Sequence, residues 1–242
     1  MNLSQIKRGQ NPFHETPAYE GIRNPNEPHL AFLLLLDTSS SMGCKVGNRT
    51  KIQLLNEAIA NLKAQMMMDD FAAARVDIAV VEFNSSTRVV CDWVPLSQFQ
   101  APHLEATGMT AMGQGGITAI DMVKERRRFY DQMGTPSYQG HIFMITDGEP
   151  TDDTSALQQR IFEEENKGQY GKLKWISCGV PGADEEFLSG LSMRKVALDD
   201  NDFGKLFNWI GKSLCVVSCS RVGENAGFAE MEDNMRRIPD HW

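Results

Sequence analysis

The sequence predicts an α/β fold, a doubly wound and mostly parallel sheet with one antiparallel edge strand and helices on both faces. Three observations carry that expectation. Unbroken apolar runs, LAFLLLLD (Leu30–Asp37), HIFMIT (His141–Thr146) and LKWISCGV (Leu173–Val180), read as strands covered on both faces. Segments with helical spacing separate these runs, which implies βαβ crossovers. VDIAVVEF (Val76–Phe83) and TRVVCDW (Thr87–Trp93) lie on either side of Asn84-Ser85-Ser86, so they pair as a hairpin and supply the antiparallel member.

Taken in order, residues 1–28 are polar, carry Pro12, Pro17, Pro25 and Pro28, and read as an extended arm. The first strand follows from Leu30. Thr50 with Gln53 forms a capping box, and Ile52, Leu55, Ile59, Leu62 and Met66 recur at helical spacing, predicting an amphipathic helix of several turns. After the hairpin, TGMTAMGQGG (Thr107–Gly116) reads as a Gly-rich loop leading into a helix marked by Ile117, Ile120, Val123 and Tyr130. Helices are expected around 155–166 and 184–191, a short strand at KVALDD (Lys195–Asp200), and a closing helix through Phe203, Phe207, Ile210, Leu214 and Val217. The main domain then spans 29–217, and 218–242 reads as a solvated tail or a surface helix.

The 242 residues suffice for one main domain with extensions. With 24 Lys+Arg against 32 Asp+Glu, the formal charge of −8 repels nucleic-acid backbones and anionic lipid. No run of about 18 apolar residues is present to insert into a membrane, and the N-terminal residues lack a signal-peptide core, so a cytoplasmic protein is expected. The 5 cysteines are odd in number and irregular in spacing, which favours reduced thiols.

Chemistry concentrates at strand ends. In open α/β sheets, functional side chains gather in the crevice beyond the carboxyl ends of strands, where strand order reverses. Asp37, Ser39 and Ser41 follow the first strand, Thr110 sits in the Gly-rich loop, and Asp147 ends the strand HIFMIT. Carboxylates and hydroxyls without Cys or His form an oxygen-only set suited to a hard cation such as Mg²⁺. Two carboxylates a few ångströms apart repel by about 4 kcal/mol at an effective dielectric of 20, and a bound dication turns that repulsion into attraction.

The motif D-x-S-x-S at Asp37–Ser41, the threonine Thr110 in a Gly-rich loop and Asp147-Gly148 together resemble the metal-ion-dependent adhesion site (MIDAS) of the von Willebrand factor A domain family, over roughly residues 30–217. The resemblance implies a six-stranded sheet between helices. It further implies that Ser39, Ser41 and Thr110 hold Mg²⁺, with Mn²⁺ or Ca²⁺ as substitutes, that Asp37 and Asp147 act directly or through water, and that a partner protein's Asp or Glu completes the shell. Bacterial cytoplasmic members associated with tellurite resistance look closest, which points to a scaffold in a signalling or stress-response assembly with kinase, phosphatase or AAA-type ATPase components. Two departures stand out: Ser40 replaces the glycine common between the two serines, and Met109 replaces a glycine that often precedes the threonine.

An enzymatic alternative makes Asp37 the nucleophile of a Mg-dependent phosphohydrolase of haloacid-dehalogenase type. Those enzymes use D-x-D, and Ser39 stands where the second carboxylate would serve as acid and base. A binding module without catalysis is the reading the sequence favours. Outside this constellation, Asp152 and Asp153 are expected to cap a helix, Glu149 to lie on a surface loop, and Arg126–Arg128 to form a solvated helix surface. His141 is expected to be structural, and Cys215-x-x-x-Cys219 lacks partners for zinc.

Overall fold

The computed structural model describes residues 22 and 24–240, so residues 1–21 and 23 of the predicted arm lie outside the described residues. Six α-helices and nine β-strands occur among the described residues. They run β1 (Leu30–Asp37), β2 (Lys45–Val46), β3 (Arg49–Thr50), α1 (Lys51–Met66), α2 (Asp70–Arg75), β4 (Val76–Phe83), β5 (Thr87–Pro95) and α3 (Met112–Gln132). There follow β6 (Gly140–Thr146), α4 (Ser155–Asn166), β7 (Leu173–Gly179), α5 (Glu185–Leu191), β8 (Lys195–Leu198), α6 (Phe203–Cys219) and β9 (Met235–Arg237). The main sheet has the order β5-β4-β1-β6-β7-β8-β9, and β2 and β3 form a separate small hairpin.

β1 is central because nothing in it needs water until its last residue. Leu30, Phe32, Leu34 and Leu36 pack into one core layer beneath α1 and α6, while Ala31, Leu33 and Leu35 pack into the other with α3 and α4. Each such leucine contributes roughly 1.5–3 kcal/mol by leaving water. The chain leaves β1 toward β4 on one side, then returns to place β6 on the other, both parallel to it. The resulting switch point lies beyond Asp37, the last residue of β1. The predicted capping box is present: Gln53 N–H donates to Thr50 Oγ1 at 3.4 Å, and Thr50 N–H donates to Gln53 Oε1 at 2.9 Å.

Three features differ from the sequence reading. First, the sheet has seven strands rather than six, with antiparallel strands at both edges. The seventh, β9, comes from the segment read as tail or surface helix, where the charges of EMEDNMRRIPDHW obscure the buried Met235 and Ile238. Ahead of it, residues 226–231 strap across α6: Trp209 Nε1–H donates to the Ala229 carbonyl at 3.0 Å, and the Phe228 ring stands 5.7 Å from that of Trp209.

Second, half of the predicted Gly-rich loop is the first turn of α3. Its glycines permit close packing, since a Cβ on Gly113 would lie 2.3 Å from the Asp153 carbonyl oxygen and one on Gly115 would lie 2.8 Å from Phe83 Cβ. Third, Arg126 is buried rather than solvated. Its guanidinium donates to Asp77 Oδ2 at 2.9 Å, beside the Tyr130 hydroxyl at 2.5 Å and His29 Nδ1 at 3.2 Å. Burial alone would raise the Asp77 pKa, but the His29 hydrogen bond and the Arg126 charge outweigh it and hold that carboxyl below its usual range. Arg127 also turns inward, donating to the Tyr138 carbonyl. No helix among the described residues is long and apolar enough to cross a membrane.

Candidate functional site

The loops that leave β1, precede α3 and leave β6 meet at the switch point, and backbone bonds fix their spacing. Thr38 N–H donates to Phe83 O at 2.9 Å, Thr107 N–H to Thr38 O at 2.8 Å, and Ser40 N–H to Gly108 O at 3.1 Å. Thr151 N–H donates to Thr110 O at 2.9 Å, and the Thr151 hydroxyl accepts from Thr110 N–H at 3.0 Å. Asp152 takes N–H groups from Gly113 and Gln114, both at 2.9 Å. It caps α3, the helix after Thr110, rather than binding in the crevice, and Asp153 caps the start of α4 through Ser155 N–H.

Within that frame the five predicted residues come together. Asp37 is fully buried, and its Oδ1 accepts from Ser39 N–H at 2.8 Å while its Oδ2 accepts from the Thr146 hydroxyl at 2.6 Å. The Ser39 and Ser41 hydroxyl oxygens are 2.9 Å apart, and Ser41 donates to Asp147 Oδ1 at 2.5 Å. Gly148 marks the convergence: a Cβ built there would stand 3.6 Å from Thr110 Oγ1, 3.7 Å from Ser41 Oγ and 3.9 Å from Asp37 Oδ2. Three oxygens, two from the end of β1 and its following loop and one from the loop before α3, thus surround one point on the loop after β6.

Electrostatics at this point are unbalanced. Burial raises the Asp37 carboxyl above its ordinary value, the hydrogen bonds from Ser39 and Thr146 only partly offset that, and the Asp147 charge adds to it. Among the described residues no salt bridge reaches Asp37, whereas Asp147 is paired with Lys51 at 2.7 Å. No cluster of three or more His, Cys, Asp or Glu side chains able to hold a metal occurs among the described residues. Any cation bound in the crevice would therefore rest on hydroxyls as well as carboxylates, the donor set of a hard ion.

Sequence reasoning missed two participants, Thr146 and Lys51. Thr146 is a polar residue at the buried end of an apolar run, a signal visible in the sequence. Lys51 directly follows the capping threonine of α1, and nothing local marks it. Of the departures from the adhesion-site pattern, Ser40 is exposed and Met109 is 59% exposed, so neither side chain fills the crevice. Glu149 lies on the surface, as expected.

Residues 32–149, a span that holds all five site residues, match the von Willebrand factor type A domain family. No curated protein sequence matches the chain. Among solved structures, a von Willebrand factor type A protein from Catenulispora acidiphila is similar over 78% of this chain and 43% of its own, at 18% identity and a TM-score of 0.51. The PilB minor pilin from Streptococcus sanguinis matches over 78% of this chain and 62% of its own, at 12% identity and a TM-score of 0.54. Proximal thread matrix protein 1 from the mussel byssus, with a zinc-occupied MIDAS motif, matches over 78% and 48%, at 14% identity and a TM-score of 0.53. This chain thus spans less than two thirds of each of these structures, and at such identities the likeness concerns the fold. The family match over residues 32–149, the mostly parallel seven-stranded sheet and the shared architecture together support a fold like that of the von Willebrand factor type A domain.

Proposed function

We propose that the chain is a divalent-metal-dependent protein-interaction module that captures an aspartate or glutamate of a partner protein. The observation that carries this reading is the convergence of Thr110, Ser41 and Asp37 oxygens around Gly148, with the buried Asp37 carboxylate lacking a cationic partner among the described residues. Ser39, Ser41 and Thr110 would offer hydroxyl oxygens to the ion, and Asp37 and Asp147 would offer carboxylates directly or through water. The zinc-occupied motif of the mussel byssus protein supports occupancy of such a site by a dication. The absence of Cys and His from the present set favours Mg²⁺, with Mn²⁺ or Ca²⁺ as substitutes. When bound, the ion supplies a positive centre with an open position that attracts a carboxylate.

Nothing in this role requires catalysis, and we read the protein as a non-enzymatic scaffold. Its proposed setting is a bacterial cytoplasmic signalling or stress-response assembly of the tellurite-resistance type, with kinase, phosphatase or AAA-type ATPase components as partners. Surface complementarity around the metal would set which partner binds. The direct test is calorimetric titration of the metal-stripped protein with Mg²⁺ and Mn²⁺ beside Thr110→Ala. Saturable one-site binding that weakens about tenfold or more in the variant is expected, since one oxygen ligand is removed. No binding by the parent protein, or equal binding by both, would overturn the reading.

A further inference from the structure

Lys51 opens α1 directly after its capping threonine, yet its side chain reaches the loops that follow β6 and β7. Nζ donates to Asp147 Oδ2 at 2.7 Å and to the Pro181 carbonyl at 2.6 Å. The pair is not a surface ion pair, because the Asp147 side chain is 0% exposed and that of Lys51 is 11% exposed. Surface pairs contribute about 0–1 kcal/mol, whereas a buried charge whose partner is removed is strongly destabilising.

The surrounding backbone is shaped to allow this approach. Gly182 adopts φ +110°, where a side chain is strained, and a Cβ there would lie 2.9 Å from the Asp147 carbonyl oxygen and 3.3 Å from Lys51 Nζ. Lys51 thereby links the start of α1, the end of β6 and the loop after β7. Its bond to Oδ2 leaves the other carboxylate oxygen, Oδ1, to the Ser41 hydroxyl, which donates to it at 2.5 Å.

We propose that Lys51 is a positioning residue that sets the charge of the site: it fixes Asp147 through Oδ2 and weakens dication binding in favour of carboxylate capture. The inference rests on the metal reading above. Two carboxylates and one ammonium leave the crevice with one net negative charge. A dication then gives the loaded site one net positive charge, which attracts a partner's carboxylate. Without Lys51 the loaded site would be neutral, and the metal would be held more tightly because a cation no longer opposes it.

The experiment uses the full chain, with Mg²⁺ and Mn²⁺ alone as probes, and compares calorimetric affinity with thermal unfolding in EDTA. Lys51→Gln removes the charge but keeps a donor. It should bind the dication about tenfold or more tightly than the parent and unfold at a lower temperature without metal. Lys51→Met, with neither charge nor donor, should tighten binding as well, while Lys51→Arg should stay within about threefold of the parent. A merely structural lysine would lower the unfolding temperature without tightening the metal. Equal or weaker affinity in Lys51→Gln beside a binding parent therefore overturns this inference and leaves the proposed function standing. Absence of binding by the parent overturns both, whether or not Lys51→Gln binds. Should either uncharged variant be unfolded in EDTA, recovery of folding on adding Mg²⁺ supports the proposal, and persistent unfolding overturns it.

Discussion

Replacing Asp37 by Asn should reverse the order of stability between metal-free and metal-loaded protein. The amide has the shape of the carboxylate. Its oxygen keeps the Ser39 N–H bond, found at 2.8 Å, and its NH₂ faces Thr146, whose hydroxyl can turn from donor to acceptor at the present 2.6 Å spacing. What disappears is a buried charge. Burial, with the Asp147 charge adding to it, raises the folded pKa of Asp37 above its ordinary 3.8. The folded state therefore holds the proton more tightly than the unfolded state, and stability present below 3.8 is lost as pH rises through the folded value. At pH 7 in EDTA, Asp37→Asn should be more stable than the parent, and the gain should vanish in acid.

Metal inverts the comparison. At a hundredfold excess over its Kd, a dication stabilises the parent by about 2.7 kcal/mol, which corresponds to roughly 5–10 °C in Tm for a chain of this size. Asp37→Asn should show little of that rise. Circular dichroism melts at pH 7, in EDTA and across a Mg²⁺ titration, measure both halves. A variant less stable than the parent in EDTA, or one that gains as many degrees from Mg²⁺, would refute the reasoning.

Two further predictions concern the scaffold. Burial pushes His141 down from 6.5 to about 3, so the folded state holds it neutral, and stability present above pH 6.5 is lost as pH falls through that window. The loss should reach about 2 kcal/mol at pH 5, measured as a shift in urea midpoint, and His141→Gln should flatten it. Arg126→Met leaves Asp77 buried without its guanidinium and should cost about 3–5 kcal/mol in urea unfolding. Adding Asp77→Asn should recover part of that cost, and simple additivity of the two losses would show that the pair is not coupled.

The strands and helices were legible because their signals are local. β1 buries on both faces and reads as an unbroken apolar run, and α1 shows both its cap and its stripe in consecutive residues. The crevice was legible for a related reason: residues at the carboxyl ends of neighbouring parallel strands meet wherever strand order reverses. What escaped depends on distant partners. The inward turn of Arg126 answers Asp77, 49 residues away, and Lys51 answers Asp147, 96 residues away. Similarly, β9 pairs with β8 although its sequence is dominated by charges, because edge pairing is satisfied by backbone and asks only Met235 and Ile238 to face inward.

Two aspartates of the central strands test the idea that the crevice is built for an external cation. Asp77, on β4, and Asp37, at the end of β1, are both almost fully buried, and desolvation is the largest influence on each. At Asp77 the chain supplies the remedy itself, with Arg126, His29 and Tyr130 converging on one oxygen, and the carboxyl falls below its usual range. At Asp37 the chain supplies neutral donors, and the carboxyl stays above its usual range. A sequence able to place an arginine within 2.9 Å of one buried carboxylate has not done so for the other. Structural need alone does not account for that asymmetry, because an apolar residue or a paired one at position 37 would stabilise the fold better. The proposed binding role would account for it: an unpaired carboxylate costs stability in the empty state and would gain affinity in the loaded one, and Lys51, which pairs with Asp147, would limit how much charge stands uncompensated in between.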